Sequence, residues 1–389
     1  MSPRELDATF LDDVDGLEAA DTGNMLLATA SSAAQVREAA TACDDAGLRR
    51  IRDEGRPRAV VVLGSGTAAL TGDLLAALAA PGSPTPVLVV RGPDLPAWVG
   101  AADLAIAVSA SGKAAETLAA ADEAIRRGAR LVTVSAEGSP LDLRGEQASA
   151  PHVVVPGGRP ARASLWSMAV PVLLAADALG LISVPPQAIE ATAEILVRYA
   201  ERCRPSYESF LNPGKTFAVD LVGTLPLVWG TPPVGGLAAN RLAAQLTRNA
   251  KLPALPGVLP EVLHTVLGCF DGVFGSGLPA ARPTDPLEDL FRDRAEDEEE
   301  EVEPQLKLVL LRDNRELPAM AARAEAAAVL AQERGIAVTS LLAEGDSPLE
   351  RFASLVALGD YASVYLALLE GVDPSDDGAA SELAARLLP

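Results

Sequence analysis

Aromatic residues, histidines and cysteines are all scarce in this chain, and each scarcity removes possibilities. Only 4% of the 389 residues are aromatic against 49% hydrophobic overall, so a core must be assembled from alanine, leucine and valine, as in helix-covered parallel sheets. The three cysteines, Cys43, Cys203 and Cys269, form no Cys-x-x-Cys pair. That argues against a structural zinc site, fits a reducing compartment and leaves them to be read as buried small hydrophobes. Basic residues are also in deficit, 32 against 53 acidic ones, for a formal net charge of -21. A surface of that sign repels a phosphate backbone, which excludes nucleic acid as a partner, while local amides and hydroxyls can still hold a small anion.

An uninterrupted membrane-length run is missing too. The longest apolar stretch, residues 166–184, contains Pro171 and Asp177, and a carboxylate at the centre of a bilayer costs about 2.5–3.5 kcal/mol. A buried helix of a soluble protein is expected there. The opening MSPRELDATFLDD carries acids where an export signal carries basic and then apolar residues. The expectation is a cytoplasmic protein with no membrane partner.

What is present is a long alternation. At 389 residues the chain exceeds what one core organises, and two domains of roughly 150 to 200 residues are expected. Residues 14–56 show helical spacing broken at residues 21–23, which suggests two helices leading into the first strand. Short apolar runs then recur at residues 59–63 (AVVVL), 86–90 (PVLVV), 104–108 (LAIAV), 130–134 (RLVTV) and 152–155 (HVVV), with alanine-rich helical windows between them. Strands alternating with helices at this interval call for right-handed βαβ crossovers and a parallel sheet. A helical segment over residues 161–181 follows, and Pro185 with Pro186 marks a hinge before a further helix. The theme returns more loosely in runs at residues 225–229, 306–311 and 336–340. The predicted fold class is α/β: a helical lead-in over residues 1–56, a doubly wound domain over 57–186 and a second over 187–389, with mostly parallel sheets covered by helices. The second is interrupted at about residues 276–304 by an acidic insertion whose RDRAEDEEEEVEP core is too charged to bury apolar surface.

Two motifs carry chemistry. Leu63-Gly64-Ser65-Gly66-Thr67-Ala68-Ala69 follows one apolar strand and opens a helix, and such a glycine-rich turn lets amides approach a phosphate. Alone it also fits a dinucleotide turn, with Arg91 after the next strand placed to read an NADP 2′-phosphate. Val108-Ser109-Ala110-Ser111-Gly112-Lys113 sits at the end of another strand, again before a helix. Two hydroxyls, a glycine and a helix N-terminus make a compact donor cluster for phosphate. Helix capping is the plain structural alternative for these serines. His152, inside an apolar strand, is assigned to structure.

With these loops, with Gly157-Gly158-Arg159-Pro160-Ala161-Arg162-Ala163, with the stretch from Asn249-Ala250-Lys251 to His264 and with Asp360-Tyr361-Ala362-Ser363-Val364-Tyr365-Leu366, the chain resembles the sugar isomerase (SIS) domain family. Within it, the resemblance is to the two-domain bifunctional phosphoglucose/phosphomannose isomerases. It implies an aldose–ketose isomerase that interconverts fructose 6-phosphate with glucose 6-phosphate or mannose 6-phosphate through an enediol, with no metal and no cofactor. It further implies a homodimer, because in the family a histidine reaches the site across the dimer interface. By position, Gly66, Thr67, Ser109, Ser111 and Gly112 would hold the phosphate. Arg162 would stabilise charge on the sugar oxygens, and His264, in a Pro-Glu-x-x-His segment, would help open the ring, a task suited to an imidazole with an ordinary pKa near 6.5.

The departures are specific. Where the family reads Glu-Asn-Ala-Lys, with the glutamate as base, this chain reads Arg248-Asn249-Ala250-Lys251, and arginine stays protonated at every working pH. A C-terminal catalytic lysine is matched by Ala384, and a threonine of the phosphate loop by Ala114. Glu261, one helical turn from His264, is the nearby carboxylate left for the base; the lysines 113 and 251 are the other candidates. Two alternatives therefore stand beside the isomerase: a catalytically inactive sugar-phosphate binder with a regulatory role, and an NADP-dependent oxidoreductase.

Overall fold

A computed structural model describes residues 8–275 and 304–387; residues 276–303 of the expected insertion lie outside them. The chain divides into two compact units that interleave in sequence. A first-sheet unit joins Asp21–Arg204 to Glu344–Tyr361, and a second-sheet unit joins the residues up to Ala20 to Pro205–Ala343 and those from Ala362 onward.

Helix α1 (Val14–Ala20) belongs to the second-sheet unit. The break expected at residues 21–23 is a helix start: the Asp21 carboxylate accepts hydrogen bonds from the amides of Met25 and Leu26, at 2.7 and 2.8 Å. There α2 (Met25–Ala30) begins, followed by α3 (Ser32–Asp45) and a 3-10 segment, Leu48–Glu54. The lead-in thus contains more helices than the two its periodicity suggested.

The five apolar runs are the five strands of the first sheet. In order they are β1 (Val60–Leu63), α4 (Thr67–Ala79), β2 (Val87–Val90), β3 (Leu104–Ser109), α5 (Ala115–Arg126), β4 (Arg130–Ser135), α6 (Pro140–Gln147), β5 (His152–Val154), α7 (Leu165–Ala178) and α8 (Pro186–Arg202). The sheet is fully parallel with order β2-β1-β3-β4-β5. Strands β1 and β3 are buried along their whole length, which is why they read as continuous apolar runs and not as alternations. The stretch expected as a buried helix holds α7, whose residues Leu165 to Leu173 are all buried despite Pro171 within it.

The second-sheet unit continues with α9 (Pro213–Leu221), β6 (Thr224–Gly230), α10 (Val234–Gln245), a π-helical turn Leu246–Ala250, β7 (Leu255–Val258), α11 (Val262–Thr265), β8 (Gln305–Arg312), α12 (Pro318–Glu333) and β9 (Ala337–Leu342). Its sheet is also parallel, with order β7-β6-β8-β9. Strand β7 was not expected. Its Leu-Pro-Gly-Val sequence has little strand character, and proline is tolerated because β7 is an edge strand.

Helix α13 (Pro348–Leu369) contributes residues through Tyr361 to the first-sheet unit and the rest to the second; α14 (Gly378–Leu387) closes the chain. Among the described residues α13 is the helix long and apolar enough to cross a membrane, yet 94% of that apolar window is buried, as befits a core helix apolar on every side. Cys43 and Cys203 are buried as expected, and burial pushes the Cys43 thiol up to about 12. Cys269 differs, being only partly buried within the 3-10 turn Leu267–Asp271.

Within the first-sheet unit Trp166 of α7 meets Phe352 of α13 edge to face, ring centres 6.0 Å apart. Both side chains are fully buried. Phe352→Ala is expected to cost about 3–5 kcal/mol of stability, measured as a lowered midpoint in urea unfolding.

Candidate active site

In a parallel sheet of order 2-1-3-4-5 the chain leaves β1 toward one side and β3 toward the other. The crevice outside their carboxyl ends is where such folds take ligands. Both hydroxyl-bearing turns of the sequence lie at this point. Gly66 precedes α4 with φ of +57°, and a Cβ there would meet nothing within 4 Å, so its backbone faces open space. Thr67 is the first residue of α4 and half-buried. Across the crevice Ser109 ends β3, buried, while Ser111 and Lys113 are exposed. Ser111 Oγ accepts from the Lys113 amide at 3.3 Å, and the Gly112 amide donates to the Ser109 carbonyl at 2.9 Å, closing a tight turn. Ala114 occupies the N-cap of α5 without a side-chain acceptor, so the first-turn amides of that helix are left to water or an anion.

Arg162 lies in a 3-10 turn, Ala161–Ala163, that packs against α2 and α4. It is 2% exposed. The turn is pinned by Gln35, a fully buried residue of α3 for which the sequence carries no signal. Its Nε2 donates to the Ala163 carbonyl at 2.8 Å and to Ser31 Oγ at 3.0 Å, while its Oε1 accepts from the Ser167 amide and hydroxyl at 3.4 and 3.3 Å. Arg91, the residue on which an NADP reading depended, donates to both carboxylate oxygens of Asp73 at 2.6 and 2.5 Å. His152 is structural: its Nδ1 lies 2.9 Å from Thr133 Oγ1 and its Nε2 3.5 Å from Asp142. Burial holds its pKa below the ordinary imidazole value against the pull of the Asp142 carboxylate.

The second-sheet unit holds the remaining candidates. Arg248, in the π-helical turn, donates to Asp377 Oδ1 at 3.1 Å. The two side chains are 44% and 38% exposed, and a pair that open contributes no more than about 1 kcal/mol. Asn249 is buried and donates to Ser363 Oγ of α13 at 2.9 Å. Lys251 adopts a left-handed φ of +58°, and its ammonium donates to the carbonyls of Arg248 and Asp376, each at 2.6 Å. That amine is already committed to carbonyls, which weakens it as a base. Glu261 and His264 are both exposed, and the His264 amide donates to the Glu261 carbonyl at 2.9 Å, so the two are one helical turn apart as expected. Ala384 falls within α14. The carboxyl ends of β6 and β8 repeat the topology of the first crevice but are filled differently: Thr231 and Asp313 are each 1% exposed, and the Asp313 amide donates to Thr231 Oγ1 at 2.8 Å.

Two parallel doubly wound sheets, one with hydroxyl-rich turns at its switch point, define a protein of the sugar isomerase (SIS) class. Residues 210–387 match the model of the bacterial phospho-glucose isomerase C-terminal SIS domain. The chain is 30% identical over 316 residues to a bifunctional phosphoglucose/phosphomannose isomerase of Caldicellulosiruptor bescii, covering 81% of this chain and 85% of the relative. It is 28% identical over 289 residues to the protein of that name in Aquifex aeolicus, covering 74% and 77%. A solved structure of a hypothetical protein from Thermus thermophilus shares the fold, with a TM-score of 0.69 at 16% identity over 97% of this chain and 96% of that one. The chain belongs to the bifunctional phosphoglucose/phosphomannose isomerase family.

The Gln35 bridge generates a test. Gln35→Leu keeps the volume but leaves the Ala163 carbonyl and the Ser167 amide without that partner, and a loss of about 1–3 kcal/mol is expected. Urea unfolding measures it, and hydrogen exchange should locate the loosening at residues 161–167.

Proposed function

We propose that the protein is a phosphosugar isomerase that interconverts fructose 6-phosphate with glucose 6-phosphate, mannose 6-phosphate or both, without a metal. The observation that carries this reading is the pairing of the turns at residues 64–67 and 109–113 across one switch point, in a chain whose relatives are named for that activity. Gly66, Thr67, Ser109, Ser111 and Gly112 hold the phosphate through hydroxyls and amides. Ring opening returns the sugar to its open-chain carbonyl form, with His264 as the proton carrier at the ring oxygen. A base then takes a proton from the carbon beside the carbonyl. The resulting enediolate, whose charge Arg162 stabilises, is reprotonated at the neighbouring carbon, so aldose and ketose exchange with no net gain or loss of atoms. Arg162 is almost wholly buried. Glu261 is the carboxylate assigned as base, since Arg248 cannot accept a proton. A homodimer in the cytoplasm completes the reading.

A second reading has its own support. By the resemblance, Arg248 and Ala384 take the places of a catalytic glutamate and lysine, which favours a protein that binds a sugar phosphate without converting it. A coupled assay of fructose 6-phosphate conversion separates the two. The isomerase reading expects turnover in the wild type and a loss of at least about 100-fold in His264→Ala, the usual scale of a removed acid–base group. No turnover in the wild type, with saturable fructose 6-phosphate binding and activity gained in Arg248→Glu, would establish the silent binder. Sedimentation equilibrium is expected to return twice the chain mass; a monomer that remains active would remove the cross-subunit role of His264.

A further inference from the structure

The turn after β3 rests on a residue that the proposed chemistry leaves unused. We infer that Ser139, at the start of α6, is a positioning residue for the phosphate turn and acts through Gly112; the inference rests on the sugar-phosphate reading above. Gly112 has φ of +65°, and a Cβ built on it would lie 2.0 Å from Ser139 Oγ and 2.4 Å from Ser139 Cβ. The serine side chain is therefore seated directly against the backbone of the turn, in the space any other residue at 112 would fill. It is itself fixed. Its Oγ lies 2.9 Å from Ser135 Oγ, at the end of β4, and accepts from the Asp142 amide at 3.3 Å.

The backbone makes the same connection. The Ala136 amide donates to the Ala110 carbonyl and the Leu141 amide to the Gly112 carbonyl, each at 3.1 Å, stitching the turn after β4 to the turn after β3. The Asp142 carboxylate accepts from the Gly138 amide at 2.8 Å and fixes the intervening loop. Ser135 and Ser139 are 0% and 4% exposed, so neither hydroxyl reaches a ligand. What they set is the path of residues 110–113, and with it the aim of the Ser111 hydroxyl and the nearby amides. Ser139 also caps α6, its Oγ accepting from the Asp142 amide. A cap, moreover, does not require contact with Gly112.

The roles separate by affinity. Titration calorimetry on the full chain, run well below the unfolding temperature with inorganic phosphate and with fructose 6-phosphate, compares wild type, Ser139→Ala, Gly112→Ala and the double variant Gly112→Ala/Ser139→Gly. Ser139→Ala is expected to weaken both ligands by about tenfold, and any turnover should lose more in KM than in kcat. Gly112→Ala weakens them further, and the double variant recovers part of that loss because the side chain facing the new Cβ is gone. Wild-type affinity in Ser139→Ala, with only a lowered melting temperature, would make Ser139 a plain helix cap and overturn the inference. A double variant no better than Gly112→Ala would do the same, leaving backbone conformation as the sole reason for the glycine. Ser135→Ala keeps the cap and carries the test if Ser139→Ala does not fold: unchanged affinity there also overturns it. A wild type that binds neither ligand overturns the sugar-phosphate reading itself.

Discussion

The parallel pairing of β1 with β2 on one side and β3 on the other is the constraint on which the candidate site depends. It sends the chain out of β1 and β3 in opposite directions and leaves a crevice at their carboxyl ends that no crossover helix covers. Into this crevice the sequence places glycines and hydroxyls where a core would demand bulk. The full burial of β1 and β3 beneath holds the two turns at a fixed separation. The second sheet repeats the order of the first four strands and with it the crevice, but there both Thr231 and Asp313 are buried and the Asp313 amide donates to Thr231 Oγ1. One topology thus yields a pair of turns with an exposed hydroxyl and a pair joined by a buried hydrogen bond, and the side chains decide which.

Much of this architecture was legible from residue order. All five strands of the first sheet and three of the four in the second stood out as apolar runs; for the inner strands β1, β3, β4, β6 and β8 the reason is that strands covered on both faces need no polar alternation, whereas β2, β5 and β9 are only partly buried. Strand β7 did not, since Leu255-Pro256-Gly257-Val258 is written in turn residues and becomes a strand only by adding to the edge of β6. The break at residues 21–23 was visible as composition but not as the Asp21 helix start it is. The loops at residues 64–67 and 109–113 were readable as strand-to-helix turns because glycine and serine gather where a strand ends and a helix begins. Gln35 was not, because a glutamine on a helix looks like any solvated polar residue until its partner, Ala163, is brought beside it from more than a hundred residues away.

Charge placement around the π-helical turn shows how the Arg248 guanidinium is accommodated. The guanidinium finds Asp377, and Lys251 reaches the carbonyl of the preceding residue, Asp376. The π-helical turn and the segment before α14 are thus joined by three charged side chains that stay near the surface, where solvent shields them and their energetic weight is small.

The interleaving of the two units has a consequence for how the protein is made. The first-sheet unit includes Glu344–Tyr361, and Phe352 from that segment sits against Trp166 in its interior. On a ribosome moving at about 5–20 residues per second, all five strands of the first sheet and α8 emerge well before the helix that completes their core. Until then the nascent sheet must wait with an apolar surface exposed. A chain stalled or cleaved before α13 would therefore lack the segment that packs against Trp166.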